Sequence, residues 1–492
     1  MSKMKLSGGG PSYNHFSLKF DCQRTFNFYG ERGTTGSADD YAWIGRPGLQ
    51  FFGEVIGNIG DGNRCLFRTA QGRCFAVMGN VLAELSEDGT ATARGYLGTT
   101  QGQVRMAENG VVVMIVDGSA GYFYNLTTNS LTLITDPDFF QNCSSLVFLN
   151  GYFVFNRTDS GEFGWTDLYA TDPSNCIDGY QSAQAELNPD NIAGLSFFGN
   201  NLFIFGTNTY QVFNVTDNPN APFYPTGGAF FEIGCGSGAT IASGFDGIFW
   251  LGEDKNGHGQ IYQTTGFSYK IVSTPVISRR ISSYARRDDA EAFVMALNGH
   301  QFYVINFPTA NETFVYDSTT GVWVEWTSAN AWGQHQMFRG RNCVYFANKI
   351  LVGDAMGAKI YWMNPDKYDD DYGPIIGERI LPHLNPGTDR MFFNEIELIA
   401  ENGVGIEDTR SASDIANMVP EPNGVTPYVM MSYSNDAGRT WSGEIWKSLG
   451  KIGEYKARTR WTQLGAAIDR VFKFKITDPV KRVFISFLID IR

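Results

Sequence analysis

The run Ser434-Asn435-Asp436-Ala437-Gly438-Arg439-Thr440-Trp441 places a carboxylate, two hydroxyls, a glycine and an indole within eight residues. In a tight hairpin, that spacing lets Asp436 accept turn N–H bonds, lets Gly438 take a positive φ and lets Trp441 pack beneath the turn. Ser434 and Thr440 complete a structural staple; nothing in the pattern demands turnover. The other residue types that carry reactions are dispersed. His15, His258, His300, His335 and His383 form no HExxH pair, and no G-x-S-x-G elbow is present. Asp366, Asp369, Asp370 and Asp371 lack the spacing and glycine of a calcium loop and read as a solvated linker. Asp254-Lys255-Asn256-Gly257 opens like such a loop, but His258 takes the next ligand position, so a hairpin turn is expected. Seven cysteines (Cys22, Cys65, Cys74, Cys143, Cys176, Cys235 and Cys343) show no CxxC or Cys/His spacing and are expected as buried reduced thiols. No catalytic, cofactor-binding or metal-binding residue is expected.

One basic cluster stands out. Arg279, Arg280, Arg286 and Arg287 put four guanidinium forks in nine residues, a group suited to carboxylates or phosphates and hence to an acidic partner subunit or passing DNA. The competing reading pairs these charges with Asp288, Asp289 and Glu291 on a surface connector. The whole chain carries 38 basic and 51 acidic residues, net −13, so any contact with nucleic acid cannot rest on a global basic field, and a conventional DNA-binding domain is not expected. The longest uninterrupted apolar run, Val111 to Val116, is far short of the roughly 20 residues of a membrane helix, so no membrane insertion is expected. The start, MSKMKLSGGGPSYNHF, lacks the apolar core of a secretory signal, so synthesis in a cytoplasm is expected.

These groups must be held by strands. Aromatic residues make up 14% of the 492, and no long amphipathic helical pattern alternates with the apolar runs. A turn followed by a short apolar-aromatic run recurs at Gly72 (CFAVMG), Gly110 (VVVMIVDG), Gly151 (YFVFN), Asn200 (NLFIFG), Gly247 (IFWLGE), Gly299 (HQFYVINF) and Asn342 (CVYFAN). Successive separations are 38, 41, 49, 47, 52 and 43 residues, the length of a propeller blade with about four short strands. The expected fold is all-β: an extended N-terminal arm over 1–54, a β-propeller of six or seven blades over 55–370, and a β-rich C-terminal domain over 371–492. A pair of β-sandwiches is the alternative architecture.

Several long segments together resemble the packaged-DNA stabilisation, or tail nozzle, proteins of short-tailed phages. They are FDCQRTFNFYGE and GRPGLQFF, SAQAELNPDNIAGLSFFGNNLFIFGTNTYQVF, AFFEIGCGSGATIASGFDGIFWLGED, GHQFYVINFPTANETFVYDSTTGVWVEW and SNDAGRTWSGEIWKSLGKIGEYKARTRWTQLG. The chain departs from that family around Gly164 to Leu168 and at Glu325-Trp326. The resemblance implies a non-enzymatic virion protein of the tail, assembled in the host cytoplasm as a ring, usually a homohexamer. Its partners would be the portal and adaptor ring, a tail needle or plug, a tailspike or fibre, and the packaged DNA that it retains and then passes. The run from Ser434 to Trp441 also fits the Asp-box of sialidase-like propellers, which keeps a glycan hydrolase or glycan-binding propeller as the alternative. It stands alone, however, without an arginine funnel or tyrosine nucleophile.

Overall fold

The computed structural model describes residues 3–7, 10–34, 37, 39–57, 61–185, 190–218, 220–253, 259–384 and 387–492. The turn expected at Asp254–His258 lies outside the described residues. Strands dominate; helix among the described residues is confined to α1 (Pro275–Ser282), α2 (Ala412–Ala416) and a 3-10 turn at Gly238–Thr240. Two compact units form: Phe51–Asn311 with Arg339–Met363, and Met1–Gln50 with Glu312–Phe338 and Asn364–Arg492.

The first unit is a ring of antiparallel sheets. Blade 1 comprises Asn63–Arg68, Cys74–Met78, Val81–Leu85 and Ala91–Tyr96, and blade 2 comprises Arg105–Glu108, Val112–Val116, Gly121–Asn125 and Ser130–Leu133. Blade 3 is built from Leu146–Leu149, Tyr152–Asn156, Glu162–Trp165 and Ser182–Gln184; blade 4 from Ile192–Phe198, Asn201–Gly206, Tyr210–Val215 and Phe223–Phe231. In blade 5, Ala242–Gly244, Gly247–Glu253, Gly259–Thr265 and Ser268–Ile271 follow in order, with Gly234–Cys235 added beside the second. Glu291–Leu297 and His300–Phe307 are the strands of this unit in blade 6; Gly340–Phe346, Lys349–Asp354 and Lys359–Asn364 are those of blade 7. The innermost strands touch in succession and blade 7 returns to blade 1, so the sheets radiate in seven blades.

This arrangement explains why the second strands are unbroken apolar runs. Each is covered on both faces by neighbouring blades, so alternation is lost and Cys74–Met78, Val112–Val116 and Tyr152–Asn156 are buried at every position. Aromatic rings key successive blades together: Phe75 meets Tyr124 edge-on at 5.1 Å, Phe123 meets Phe153 at 5.9 Å, and Phe205 meets Trp250 at 5.0 Å. The seam between blades 7 and 1 is filled by Leu351, Ile360, Ala76, Val81 and, from the segment before blade 1, Val55. The Val55 N–H donates to the Ala358 carbonyl at 3.0 Å, which latches the seam.

The second unit is a sandwich. One sheet runs Phe28–Arg32, Tyr41–Gly45, Val483–Ile491, Met391–Ala400, Thr459–Thr462, with Met4–Ser7 also paired to Val483–Ile491. The facing sheet runs Cys22–Phe26, Gly377–Ile380, Val471–Ile476, Tyr428–Ser434, Ile445–Ser448; Val322–Glu325 joins Cys22–Phe26 in parallel, and Glu312–Asp317 pairs beyond it. Between the sheets, Phe474 packs on Phe487 (4.6 Å) and Trp461 (5.4 Å), and Phe472 on Phe393 (5.9 Å). The departure at Trp326 has a packing role, since its indole is fully buried beside Phe338 and donates to the Phe28 carbonyl at 3.4 Å.

The acidic run at 366–371 is not a solvated linker throughout. Asp370 is fully buried and grips the buried Arg46 through two bonds, Nη1 to Oδ1 at 3.0 Å and Nη2 to Oδ2 at 2.6 Å, while accepting the Leu49 N–H at 2.9 Å. Arg46 also donates to Asn27 Oδ1 (2.9 Å) and to the Thr327 carbonyl (3.1 Å), so one guanidinium ties together all three chain segments of the sandwich unit.

Candidate functional site

The propeller axis is the first place where a ring of blades could bind or pass something. Inner strands of all seven blades line a cavity of about 290 Å³, with Cys65, Arg105, Leu146, Ser196, Val294 and Cys343 among its walls. That volume holds on the order of ten water molecules. Arg105 reaches from blade 2 toward the start of blade 5 and donates through Nη2 to the carbonyls of Gly238 (3.2 Å) and Ile241 (3.5 Å). Burial pulls its guanidinium below its ordinary pKa. A duplex whose major groove alone is about 12 Å wide cannot enter such an axis.

A polar mouth of about 520 Å³ adjoins Arg105, walled by Thr99, Gln101, Asp117, Ser119, Ser144 and Thr158. Its loops are fixed from below. Arg64 donates to the carbonyls of Gly79 (2.8 Å), Thr99 (2.7 Å), Gln101 (2.7 Å) and Gly102 (2.6 Å). Asp117 accepts from the N–H groups of Ser119 (3.0 Å) and Ala120 (2.8 Å) and from the Thr99 hydroxyl (2.9 Å). An Asp or Asn at the same place, the end of a second strand, recurs in other blades. Asn156 accepts from the Ser145 N–H (2.8 Å), Asn306 donates to the Gly340 carbonyl (2.9 Å), and Asp354 accepts from the Met356 N–H (2.9 Å). Sequence reasoning passed over these residues, although the final D or N of VVVMIVD and YFVFN was the visible signal. They brace backbone turns and neighbouring strands: Asp354 also pairs with Arg339 and accepts the Tyr361 hydroxyl at 3.1 Å, and the Asn306 bond joins blade 6 to blade 7.

In the sandwich unit the run from Ser434 to Trp441 forms one hydrogen-bonded turn. Asp436 accepts from the Thr440 N–H (2.8 Å) and hydroxyl (2.6 Å) and from the Ser434 hydroxyl (2.7 Å), and Ser434 Oγ accepts the Gly438 N–H (2.8 Å). These bonds hold the Asp436 carboxyl well below the usual carboxylate range. Gly438 sits at φ +82°, in the left-handed region. Trp441 is half-buried against Cys22, Ile380 and Val471, with the Lys473 ammonium 4.6 Å from its ring centroid. A cleft of about 530 Å³ beside the turn carries Lys19, Arg390, Arg439 and Asp469.

The basic cluster falls on α1 and the loop after it. Thr274 caps the helix, accepting the Ile277 N–H at 3.4 Å, and Pro275 opens it; Arg279 and Arg280 occupy its last turn. Arg286 pairs with Asp288 (2.8 Å), whereas Arg287 reaches Glu253 (2.8 Å) and Glu291 belongs to Arg341. The expected pairing thus covers Arg286 but not Glu291. All seven cysteines are free thiols; burial pushes Cys65, Cys74, Cys235 and Cys343 up to about 12, away from reactivity. Among the described residues, no group of three or more His, Cys, Asp or Glu could hold a metal ion. None of their helices is long and apolar enough to cross a membrane.

Two family models match in succession: Bacteriophage P22 Gp10, beta-propeller, over residues 26–368, and Bacteriophage P22 Gp10, beta-sandwich, over residues 378–492. The tail hub protein gp10 of Salmonella phage P22 is 22% identical over 347 residues, covering 67% of this chain and 71% of that protein. Among solved structures, the extracellular domain of the two-component system BT4673 from B. thetaiotaomicron aligns with a TM-score of 0.44 at 11% identity, over 72% of this chain and 43% of that one. The N-terminal domain of Nup159 aligns with a TM-score of 0.41 at 11% identity, over 69% and 98%. The family match does not favour the glycan-acting alternative. The chain belongs to the bacteriophage P22 Gp10 family, and with its propeller and sandwich it is a structural protein of the phage tail and not an enzyme.

Proposed function

We propose that the chain is the tail nozzle subunit of a short-tailed phage, built in the host cytoplasm and assembled as a homohexameric ring below the portal and adaptor. The ring retains packaged DNA, is sealed by a needle or plug, carries tailspikes or fibres, and opens into the ejection channel. The observation that carries this reading is the match of both Gp10 domain models, in order, along nearly the whole chain. Arg105 supports it: with the axis of each propeller too narrow for duplex, a DNA conduit in this reading is the space enclosed by several copies. Cyclic closure calls for a heterologous contact, one face of a copy meeting a different face of the next. In this reading the turn at Ser434, Asp436, Gly438, Thr440 and Trp441 is a structural staple, and Arg279, Arg280, Arg286 and Arg287 form a contact surface.

A phage lacking the gene tests the proposal. Heads that package DNA and then leak empty are the expected result; full, stable particles that fail only at adsorption would overturn it.

A further inference from the structure

Charge is distributed very unevenly along the propeller. Between Arg157 and Lys255 there is no Lys or Arg at all, whereas Asp and Glu occur twelve times. This stretch holds the outer half of blade 3, all of blade 4 and much of blade 5. At its start, the loop between Glu162–Trp165 and Ser182–Gln184 displays three large side chains to solvent: Leu168 is 58% exposed, Tyr169 59% and Tyr180 59%. Asp172 and Asp178, both exposed, stand among them, and the nearby Asp178 carboxylate raises the Tyr180 phenol above its ordinary pKa.

The loop is held in one shape by its base. Cys176 and Ile177 are buried in the core between blades 2 and 3, and their N–H groups donate to Asp136 Oδ2 at 2.6 and 3.1 Å. The Tyr169 N–H donates to the Gly151 carbonyl at 2.8 Å. Exposed tyrosines and carboxylates on a pre-shaped loop, in a stretch of sequence without Lys or Arg and with Arg157 as the cation in the adjoining cleft, match the chemistry of arginine: a guanidinium stacks on a phenol ring and forks onto a carboxylate. The densest arginine group in this sequence lies on α1 and its following loop, where Arg279 and Arg286 are exposed; Arg286 pairs with Asp288, itself exposed, and would exchange that carboxylate for the partner's on docking.

We infer that the blade 3 loop of one copy, through Leu168, Tyr169, Asp172, Tyr180 and Asp178, docks the arginine surface around Arg279 and Arg286 of a second copy. This is a heterologous contact, and it rests on the ring reading above. A phosphate-rich partner for the same arginines is the competing outcome.

Charge reversal on the purified full-length chain, read by native mass spectrometry, tests the contact. Asp172→Arg with Asp178→Arg, and separately Arg279→Glu with Arg286→Glu, are each expected to weaken ring association at least about tenfold. An equimolar mixture of the two variants should restore a closed ring with both in equal number, because every junction then joins opposite charges again. Rings that survive reversal of the aspartates, or two defective variants that fail to rescue each other, would overturn this interface while leaving the ring in place. A wild-type chain that stays monomeric would remove the ring and the interface together.

Discussion

The propeller and the sandwich bury similar kinds of side chains but assemble from the sequence in opposite ways. In blades 1 to 4, every strand pairs with the strand next to it in sequence, so each sheet closes through short turns. In the sandwich, Cys22–Phe26 pairs with Gly377–Ile380, and Met4–Ser7 with Val483–Ile491, across most of the chain. The interiors differ accordingly. Of the five arginines among the largest fully buried side chains, Arg46, Arg379, Arg470 and Arg482 belong to the sandwich unit and only Arg64 to the propeller. Local sheets hold together by apolar blade-to-blade contact, whereas segments distant in sequence are pinned by directional guanidinium bonds, which specify partners more sharply than apolar contact does.

The strongest way to break this contrast is Asp370→Ala. It strands the buried Arg46 without its carboxylate and is expected to cost about 3–5 kcal/mol. Denaturant unfolding with hydrogen exchange should localise the loss to the peptides around Asn27, Thr327 and Asp370, with blades 2 to 4 unaffected. Adding Arg46→Met should recover much of the loss, because an apolar pair tolerates burial better than a lone charge does. Leu202→Ala tests the other side: it opens a cavity in the fully buried core of blades 3 and 4 and is expected to cost about 2–4 kcal/mol. Its exchange signature should be confined to those two blades; spreading into the sandwich peptides would contradict the division drawn here.

The smallest effect is a pH slope. His335 is stacked on Phe26 at 4.3 Å and bonded to the Thr327 hydroxyl at 2.7 Å; burial, with the nearby Arg24 charge, pulls its imidazole down to about 4. Unfolded, the same group takes up its proton near its ordinary value of 6.5. The stability it contributes is therefore complete above pH 6.5 and declines as pH falls toward 4, where the folded form also protonates. His335→Gln should flatten the dependence of Tm on pH within that window. An unchanged slope would show that the ring is wetter than its packing implies.

The propeller was the legible part, for a physical reason. Runs buried on both faces lose their polar alternation and stand out as unbroken apolar words, and six of the seven recurring runs fall on second strands. The seventh, CVYFAN, lies on the innermost strand Gly340–Phe346 instead, so the repeat slips out of phase there and the second strand is Lys349–Asp354. Half-exposed inner strands carry weaker patterns, which is why the phase was lost. The strand Cys22–Phe26 gave no sign of its partner Gly377–Ile380, because pairing with residues some 350 positions away leaves no local trace. For the same reason Asp370 looked like one more solvated charge: its partner, Arg46, is 324 residues distant. The Asp436 turn was readable because all its bonds fall within a few residues, while the Thr274-Pro275 start of α1 was available as a helix signal and was overlooked in a chain otherwise made of strands.

The latch between Val55 and Ala358 also sets a schedule. A ribosome adding about 5–20 residues per second needs roughly 15–60 s to travel from one to the other, and until it does the outer face of blade 1 has no neighbour. Every copy of this protein therefore passes through a period as an open arc with apolar flanks. Expression at elevated temperature, when such arcs stick to one another fastest, should lower the yield of soluble chain, and added chaperone should restore it.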